Sequence, residues 1–178
     1  MTLAVKDQAP GAETRLIDFP HAINILVVED DFGDYDAVAR ALRKMEHFEA
    51  RTTRAKTLEA ARRLIAENAY DIFLIDYNLG EESGARLLQE IGGRSGRGVP
   101  ILLTGLIDRS VHEISLRAGA IGCINKADLS PTLLETTIRY AIYTHRLEAQ
   151  IAGLLSKLTK RADLAASNSA PRLASAPA

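Results

Sequence analysis

Runs of apolar and β-branched residues alternate along the chain with segments whose apolar residues recur at helical spacing. The runs are "INILVV", "FEARTT", "DIFLID", "PILLT" and "IGCIN", and helix-like segments such as "DYDAVARALRKM" and "LEAARRLIAEN" follow them. Five strand and helix repeats in this order predict an α/β fold with a parallel sheet and helices on both faces. The first and third runs are almost continuously apolar, which is typical of strands buried on both faces.

Capping residues mark several of the predicted helix starts. Thr57 precedes one helix, and Ser130 followed by Pro131 gives the last helix an N-cap and a proline at its first position. Asp31 and Asp34 are both candidates to cap the first helix, because aspartate is favoured at that position.

The pattern also divides the chain into regions. We expect a flexible N-terminal extension over 1–21, a single domain over 22–146, a helical extension of the last helix over 147–161, and a disordered tail over 162–178. The two ends mix Pro, Gly, Ala and Ser without an apolar period, which is typical of chain ends that do not pack on a core.

Composition narrows the class of protein. The 178 residues have a formal net charge of −1 and no long block of like charge, so we predict that neither nucleic acid nor a membrane surface is a partner. No signal-peptide pattern and no run of 18 apolar residues is present, which predicts a cytoplasmic protein. The single cysteine, Cys123, excludes an internal disulfide, and the scattered histidines argue against a transition-metal site.

Polar side chains follow four of the predicted strands. In an open parallel sheet, ligands bind beyond the carboxyl ends of the strands. Reading the sequence at these ends gives Glu29, Asp30 and Asp31 after the first strand, Asp76 after the third, Thr104 after the fourth and Lys126 after the fifth. Carboxylates, a hydroxyl and an ammonium together suit phosphoryl transfer with a hard cation.

The acidic triplet "EDD" raises an electrostatic problem. Two carboxylates about 4 Å apart repel by several kcal/mol at an effective dielectric near 20, so a positive charge is needed to offset them. We expect that Glu29 and Asp30 face a cation shared with Asp76, whereas Asp31 turns toward the first helix. Without metal, these carboxylates should have raised pKa values.

The motifs "ILVVEDD", "DIFLIDYNLGEESG", "PILLTG" and "GCINK" occur in an order and spacing that resemble a receiver domain of a two-component response regulator. The resemblance covers roughly residues 23–146. It implies a flavodoxin-like, doubly wound sheet of five parallel strands in the order 2-1-3-4-5. It also implies a phosphoprotein. The remaining tail does not fit a separate output domain, so we expect a single-domain regulator that acts through protein contacts or as a phosphoryl relay or sink.

The same resemblance assigns roles to the strand-end residues. Asp76 matches the phosphoacceptor, which a histidine kinase or a histidine phosphotransfer protein would phosphorylate. Glu29, Asp30 and Asp76, with the backbone carbonyl of Asn78, would hold Mg²⁺. Thr104 matches the switch hydroxyl, and Lys126 matches the lysine that pairs with the acceptor or its phosphoryl group.

Two departures from the family pattern keep another function open. Cys123 occupies the switch position where an aromatic residue is usual, and Ala127 replaces the usual proline after Lys126. The alternative is an interaction module that uses the receiver fold without phosphorylation. Neither reading predicts a multiple-turnover enzyme; under the first, the aspartyl phosphate would form once and hydrolyse slowly. Gly80 replaces another common proline and would tolerate a positive φ.

The last helix is longer than a receiver domain needs. Its apolar and small residues recur at alternating spacings of three and four, which predicts a homodimer or partner contact through about 140–160. The alternative is that the early positions belong to the core and the later ones to a frayed amphipathic end. The candidate dimer seam comprises Tyr140, Thr144, Leu147, Ile151, Leu154 and Leu158.

Overall fold

The fold was obtained as a computed structural model, and it is described here for residues 19–92, 98–105, 113 and 117–168. The strands are β1 (Ala22–Val28), β2 (Glu49–Ala55), β3 (Ile72–Asp76), β4 (Asn78–Leu79), β5 (Glu82–Ser83), β6 (Val99–Thr104) and β7 (Gly122–Asn125). The helices are α1 (Phe32–Arg43), α2 (Leu58–Glu67), α3 (Gly84–Gly92) and α4 (Pro131–Asn168), with a 3₁₀ turn at Lys126–Asp128.

The main sheet confirms the predicted architecture. Its five strands lie in the order β2-β1-β3-β6-β7, and every adjacent pair is parallel. In terms of the five predicted strands this is the order 2-1-3-4-5. The short strands β4 and β5 form a separate antiparallel hairpin directly after β3, which the sequence pattern did not predict.

Helices cover both faces of the sheet, as predicted. One core cluster joins inward residues of β1 and β3 to α1 and α4, and includes Leu42, Leu134 and Ile138. The other joins the opposite face to α2 and α3, and includes Leu58 and Leu87. Residues of β3 are buried throughout, which explains why "IFLI" shows no alternation of apolar and polar positions.

The predicted helix caps are present. Thr57 accepts a hydrogen bond from the Ala60 N–H at the start of α2. The Ser130 hydroxyl accepts from the Leu133 N–H at the start of α4. Of the two candidates for α1, Asp31 is the cap, because its carboxylate accepts from the N–H of Asp34.

Both predicted outer boundaries require correction within the described residues. The ring of Phe19 packs on Phe48 with centroids 5.0 Å apart, and the His21 carbonyl accepts from the Glu49 N–H, so residues 19–21 are part of the domain. At the other end, α4 continues to Asn168 although 162–178 was predicted to be disordered. The segment "ADLAASN" is rich in alanine, which has the highest helix propensity.

Three predictions lie wholly or largely outside the described residues. They are the flexible character of 1–18, the disorder of 169–178, and most of the helix-like segment "RSVHEISLRAG" that follows the fourth apolar run.

Candidate functional site

The register of the sheet brings the strand-end residues to one edge. Val28 pairs with Ile75, so Glu29 follows β1 at the level where Asp76 ends β3. Asp76 in turn pairs with Leu103, next to Thr104. Thr104 pairs with Asn125, and Lys126 comes directly after it. Residues 29, 76, 104 and 126 therefore meet because parallel strands end at the same edge.

Burial separates these residues into two groups. Glu29, Asp76 and Thr104 are buried, with 0%, 4% and 4% of their surface exposed. Asp30 and Asn78 are exposed. Two nearly dehydrated carboxylates beside each other need compensation by positive charge.

Lys126 supplies that positive charge. Its Nζ lies 2.7 Å from Glu29 Oε2, 3.0 Å from Asp76 Oδ2 and 2.6 Å from Asp34 Oδ2. The family resemblance implied the contact with Asp76, whereas the contacts with Glu29 and Asp34 were not predicted. The protein itself therefore carries one positive charge beside the two buried carboxylates.

The pKa values follow from this arrangement. Burial raises the pKa values of Glu29 and Asp76, and their hydrogen bonds to Lys126 act in the opposite direction. Burial alone would lower the pKa of Lys126, but hydrogen bonds to Asp34, Glu29 and Asp76 outweigh it and raise that pKa. Raised pKa values were predicted for these carboxylates. The main cause is desolvation, and the contact with Lys126 lowers both pKa values in part.

Arg54 is a site residue that the sequence reading missed. At the end of β2, its Nε donates to the Glu29 carbonyl at 3.1 Å and its Nη2 donates to the Asp30 carbonyl at 2.8 Å. Its guanidinium also lies 4.6 Å from the Tyr35 ring centroid. The strand-end rule covers this position as well, but the second strand ends in "RTTRA", which contains no acid.

The loop after Asp76 is held by two glycines. Gly80 has φ of 59° in the turn between β4 and β5, which agrees with its predicted tolerance of positive φ. At Gly84, a Cβ atom would lie 2.0 Å from the Asp76 carbonyl oxygen, so only glycine fits there. The backbone of Asn78 acts to lower the pKa of Asp76, against the larger effect of burial.

The acidic residues fit a hard divalent cation. Carboxylate oxygens of Glu29, Asp30 and Asp76 lie within 4.8 Å of one another. Mg²⁺ is usually held by one or two carboxylates with water and phosphate oxygens in the remaining positions. The exposure of Asp30 leaves the cluster open to solvent on one side, so the donor chemistry and the access both suit Mg²⁺.

The remaining predicted residues lie away from this cluster or at its border. Cys123 in β7 is half-buried and packs on the core cluster that includes α2 and α3. Along α4, Thr144 is half-buried. The other members of the candidate seam are 40–64% exposed, and these are Tyr140, Leu147, Ile151, Leu154 and Leu158.

Comparison with known families decides what this site belongs to. A family model described as "Response regulator receiver domain" matches residues 25–139, which is more than half of the chain. The chain belongs to this family. The resemblance drawn from the four sequence motifs is thereby confirmed, and the chain contains the receiver domain of a response regulator, in keeping with two-component signalling.

Solved structures agree with this fold. A CheY-like receiver domain from Methanospirillum hungatei JF-1 has 25% identity and a TM-score of 0.60, covering 71% of this chain and 98% of that chain. A response regulator from Thermotoga maritima has 23% identity and a TM-score of 0.60, covering 68% and 98%. NtrX from Brucella abortus has 24% identity and a TM-score of 0.65, covering 75% of this chain but 30% of that longer one. No curated protein sequence matches this chain.

The receiver family carries general expectations about cations and partners. Receiver domains bind Mg²⁺ at an acidic pocket and work with phosphorelay partners such as kinases, and this domain has an acidic cluster of Glu29, Asp30 and Asp76. Among the described residues, no helix combines the length and the apolar character needed to cross a membrane.

Proposed function

We propose that this receiver domain accepts a phosphoryl group on the carboxylate of Asp76 in a Mg²⁺-dependent reaction. The donor is the phosphohistidine of a histidine kinase or of a histidine phosphotransfer protein. The observation that carries the proposal is the position of Asp76, buried at a strand end, 3.0 Å from the Lys126 ammonium and clustered with Glu29 and Asp30.

The transfer needs little chemistry from the protein beyond position and charge. An oxygen of Asp76 attacks phosphorus, the bond from phosphorus to the donor imidazole breaks, and an acyl phosphate forms. Glu29, Asp30, Asp76 and the backbone carbonyl of Asn78 would hold Mg²⁺, which supplies positive charge against the phosphoryl oxygens. The imidazole leaves neutral once it takes up a proton.

Lys126 and Thr104 serve the product. The Lys126 ammonium, already beside Asp76 Oδ2, pairs with an oxygen of the new phosphoryl group. The buried hydroxyl of Thr104, on the neighbouring strand, binds another. These two contacts shift a pre-existing equilibrium of the surface around β6 and β7, and the output is a change in protein contacts.

Phosphorylation by acetyl phosphate tests the proposal. With Mg²⁺, the wild-type protein should gain one phosphoryl mass by intact-protein mass spectrometry, and Asp76→Asn should gain none. Chelation by EDTA should abolish the gain in wild type. A wild type without the increment, or an undiminished increment in Asp76→Asn, would favour the scaffold function that Cys123 and Ala127 keep open.

We also propose that the domain is not a multiple-turnover enzyme. None of the side chains that contact Asp76 in the described network is a free base placed to activate water, because Lys126 is a protonated donor. We therefore expect slow hydrolysis of the acyl phosphate and no sustained turnover of aryl phosphates. Release of many equivalents of product per protein would contradict this expectation.

The exposed seam of α4 supports a homodimer. Leu147, Ile151, Leu154 and Leu158 are 40–62% exposed at heptad spacing on a helix that continues to Asn168. Burying the exposed half of a leucine contributes about 1 kcal/mol. Eight such side chains in a dimer contribute about 8 kcal/mol, comparable with an association cost of about 4–15 kcal/mol. We expect a dimer whose population depends on protein concentration.

Sedimentation equilibrium tests the dimer. Ile151→Glu with Leu158→Glu should give the monomer mass at concentrations where wild type is dimeric. Ala149→Glu places a charge on the other side of the same exposed helix and should leave the dimer intact. Equal masses for wild type and the double variant would contradict the seam. Loss of dimer in Ala149→Glu would contradict its position.

A further inference from the structure

The Lys126 ammonium faces three carboxylates, and it donates a hydrogen bond to Asp34 Oδ2. It has three N–H donors, and the structure gives it three carboxylate oxygens within 3.0 Å, on Glu29, Asp34 and Asp76. Glu29 and Asp76 belong to the acidic cluster that fits a cation. Asp34 does not belong to that cluster, and its contact with Lys126 is the shortest of the three.

A divalent cation and Lys126 draw on the same two buried carboxylates. A cation held by Glu29 and Asp76 weakens their attraction for the ammonium and repels its charge directly. Lys126 would then lose two of its three partners at the stage when the proposed function requires it near Asp76.

Asp34 is placed to keep the third contact. It lies in the first turn of α1, and its backbone N–H is fixed by the carboxylate of the N-cap residue Asp31 at 2.9 Å. Its side chain is 48% exposed, so its carboxylate loses little of its hydration. It approaches Lys126 from the α1 side, outside the group of oxygens that suits the cation.

We propose that Asp34 is a positioning residue that retains Lys126 at the site when a divalent cation occupies the carboxylates of Glu29 and Asp76. This role rests on the proposed function for the identity of that cation, Mg²⁺. Without Asp34, the ammonium has Glu29 and Asp76 as its remaining partners among these three, and it competes with Mg²⁺ for both. Asp34 thus lets the ammonium and the cation share one pair of carboxylates.

A double-mutant cycle in Mg²⁺ affinity tests this role. Isothermal titration with MgCl₂ compares wild type, Asp34→Asn, Lys126→Met and the double variant. Asp34→Asn should weaken Mg²⁺ binding about fivefold when Lys126 is present. This change corresponds to the upper end of the interaction free energies of partly exposed ion pairs. In the Lys126→Met background the same change should have an effect of less than about twofold, because only a screened charge is lost.

The matched control is Asp36→Asn. Asp36 lies on the same helix and pairs with Arg40 rather than Lys126. Asp36→Asn removes one negative charge, as Asp34→Asn does, but leaves the contacts of Lys126 in place. It should alter Mg²⁺ affinity by less than about twofold in either background. Circular dichroism checks that each variant folds; Lys126→Gln replaces Lys126→Met in the cycle if the latter does not.

Three results would overturn the positioning role: an equal effect of Asp34→Asn with and without Lys126, an equal effect of Asp36→Asn, or no Mg²⁺ binding by wild type. The first two leave the proposed function standing if acetyl phosphate still labels Asp76. Conversely, the effects of Asp34→Asn and Lys126→Met on Mg²⁺ affinity could be coupled in a protein that acetyl phosphate does not label. That result supports the positioning role of Asp34 and rejects the proposed function. Asp34→Asn should also slow labelling severalfold at saturating Mg²⁺, which a change in cation affinity alone would not do.

Discussion

Replacing Lys126 by methionine measures how much the stability of the domain depends on the Lys126 ammonium. Methionine keeps most of the side-chain length but removes the charge that faces Glu29 and Asp76, whose side chains are 0% and 5% exposed. Removing one partner of a buried ion pair costs about 3–5 kcal/mol. The pair with Asp34 is 48% exposed on the acid side and adds little.

We therefore expect the free energy of unfolding of Lys126→Met to be about 3 kcal/mol lower than wild type at pH 7 without metal. For a protein of this size, that loss lowers the melting temperature by roughly 6–12 °C. Urea unfolding followed by circular dichroism in EDTA gives the free energy directly. Lys56→Met removes an exposed lysine and should change it by less than about 0.5 kcal/mol.

The loss should depend on pH in a defined direction. Burial already raises the pKa values of Glu29 and Asp76, and without Lys126 they rise further. A carboxylate whose pKa is raised in the folded state takes up its proton at a higher pH than in the unfolded chain. The unfavourable charge is therefore complete above the folded pKa and disappears as the pH falls through it.

Between pH 7 and pH 5 the deficit of Lys126→Met should accordingly become smaller. Asp76→Asn in the same background should recover part of the loss, because an amide needs no counter-charge. A deficit below about 0.5 kcal/mol at pH 7, or one that stays constant down to pH 5, would refute the reasoning that Lys126 compensates two buried carboxylates.

Two further predictions concern the supports of the site. Gly84→Ala should lower the free energy of unfolding by about 3 kcal/mol or more, because its Cβ would clash with the Asp76 carbonyl oxygen. Gly153→Ala, with open space at its Cβ in exposed α4, should instead raise helix stability by about 0.5–1 kcal/mol. Thermal melts of both variants check this, and shifts of the same sign would contradict it. Arg54→Leu should lower the free energy of unfolding by about 1–2 kcal/mol in urea, since it removes two charge-assisted hydrogen bonds to the Glu29 and Asp30 carbonyls. Arg51 is an exposed residue of the same strand, and Arg51→Leu should lower it by less than about 0.5 kcal/mol. Similar losses for the two arginines would show that Arg54 does not support the loop.

The sequence by itself determined the order and type of the main elements. Runs such as "INILVV" and "DIFLID" are apolar enough to be recognised as strands buried on both faces. The residues that follow them are also local information, so Glu29, Asp76, Thr104 and Lys126 could be named as neighbours. Their meeting requires only that parallel strands end at one edge, and the observed register agrees.

The tertiary structure alone decided which charges pair, and which of two aspartates near the start of α1 caps the helix. Asp31 and Asp34 have the same side chain, and the direction in which α1 leaves the sheet makes one a cap and the other a partner of Lys126, 92 residues away. Arg54 acts through backbone carbonyls, which carry no sequence signature. The same holds for the Lys126 charge beside Glu29 and Asp76: distances across separate strands set electrostatic pairing, and local sequence patterns do not encode those distances.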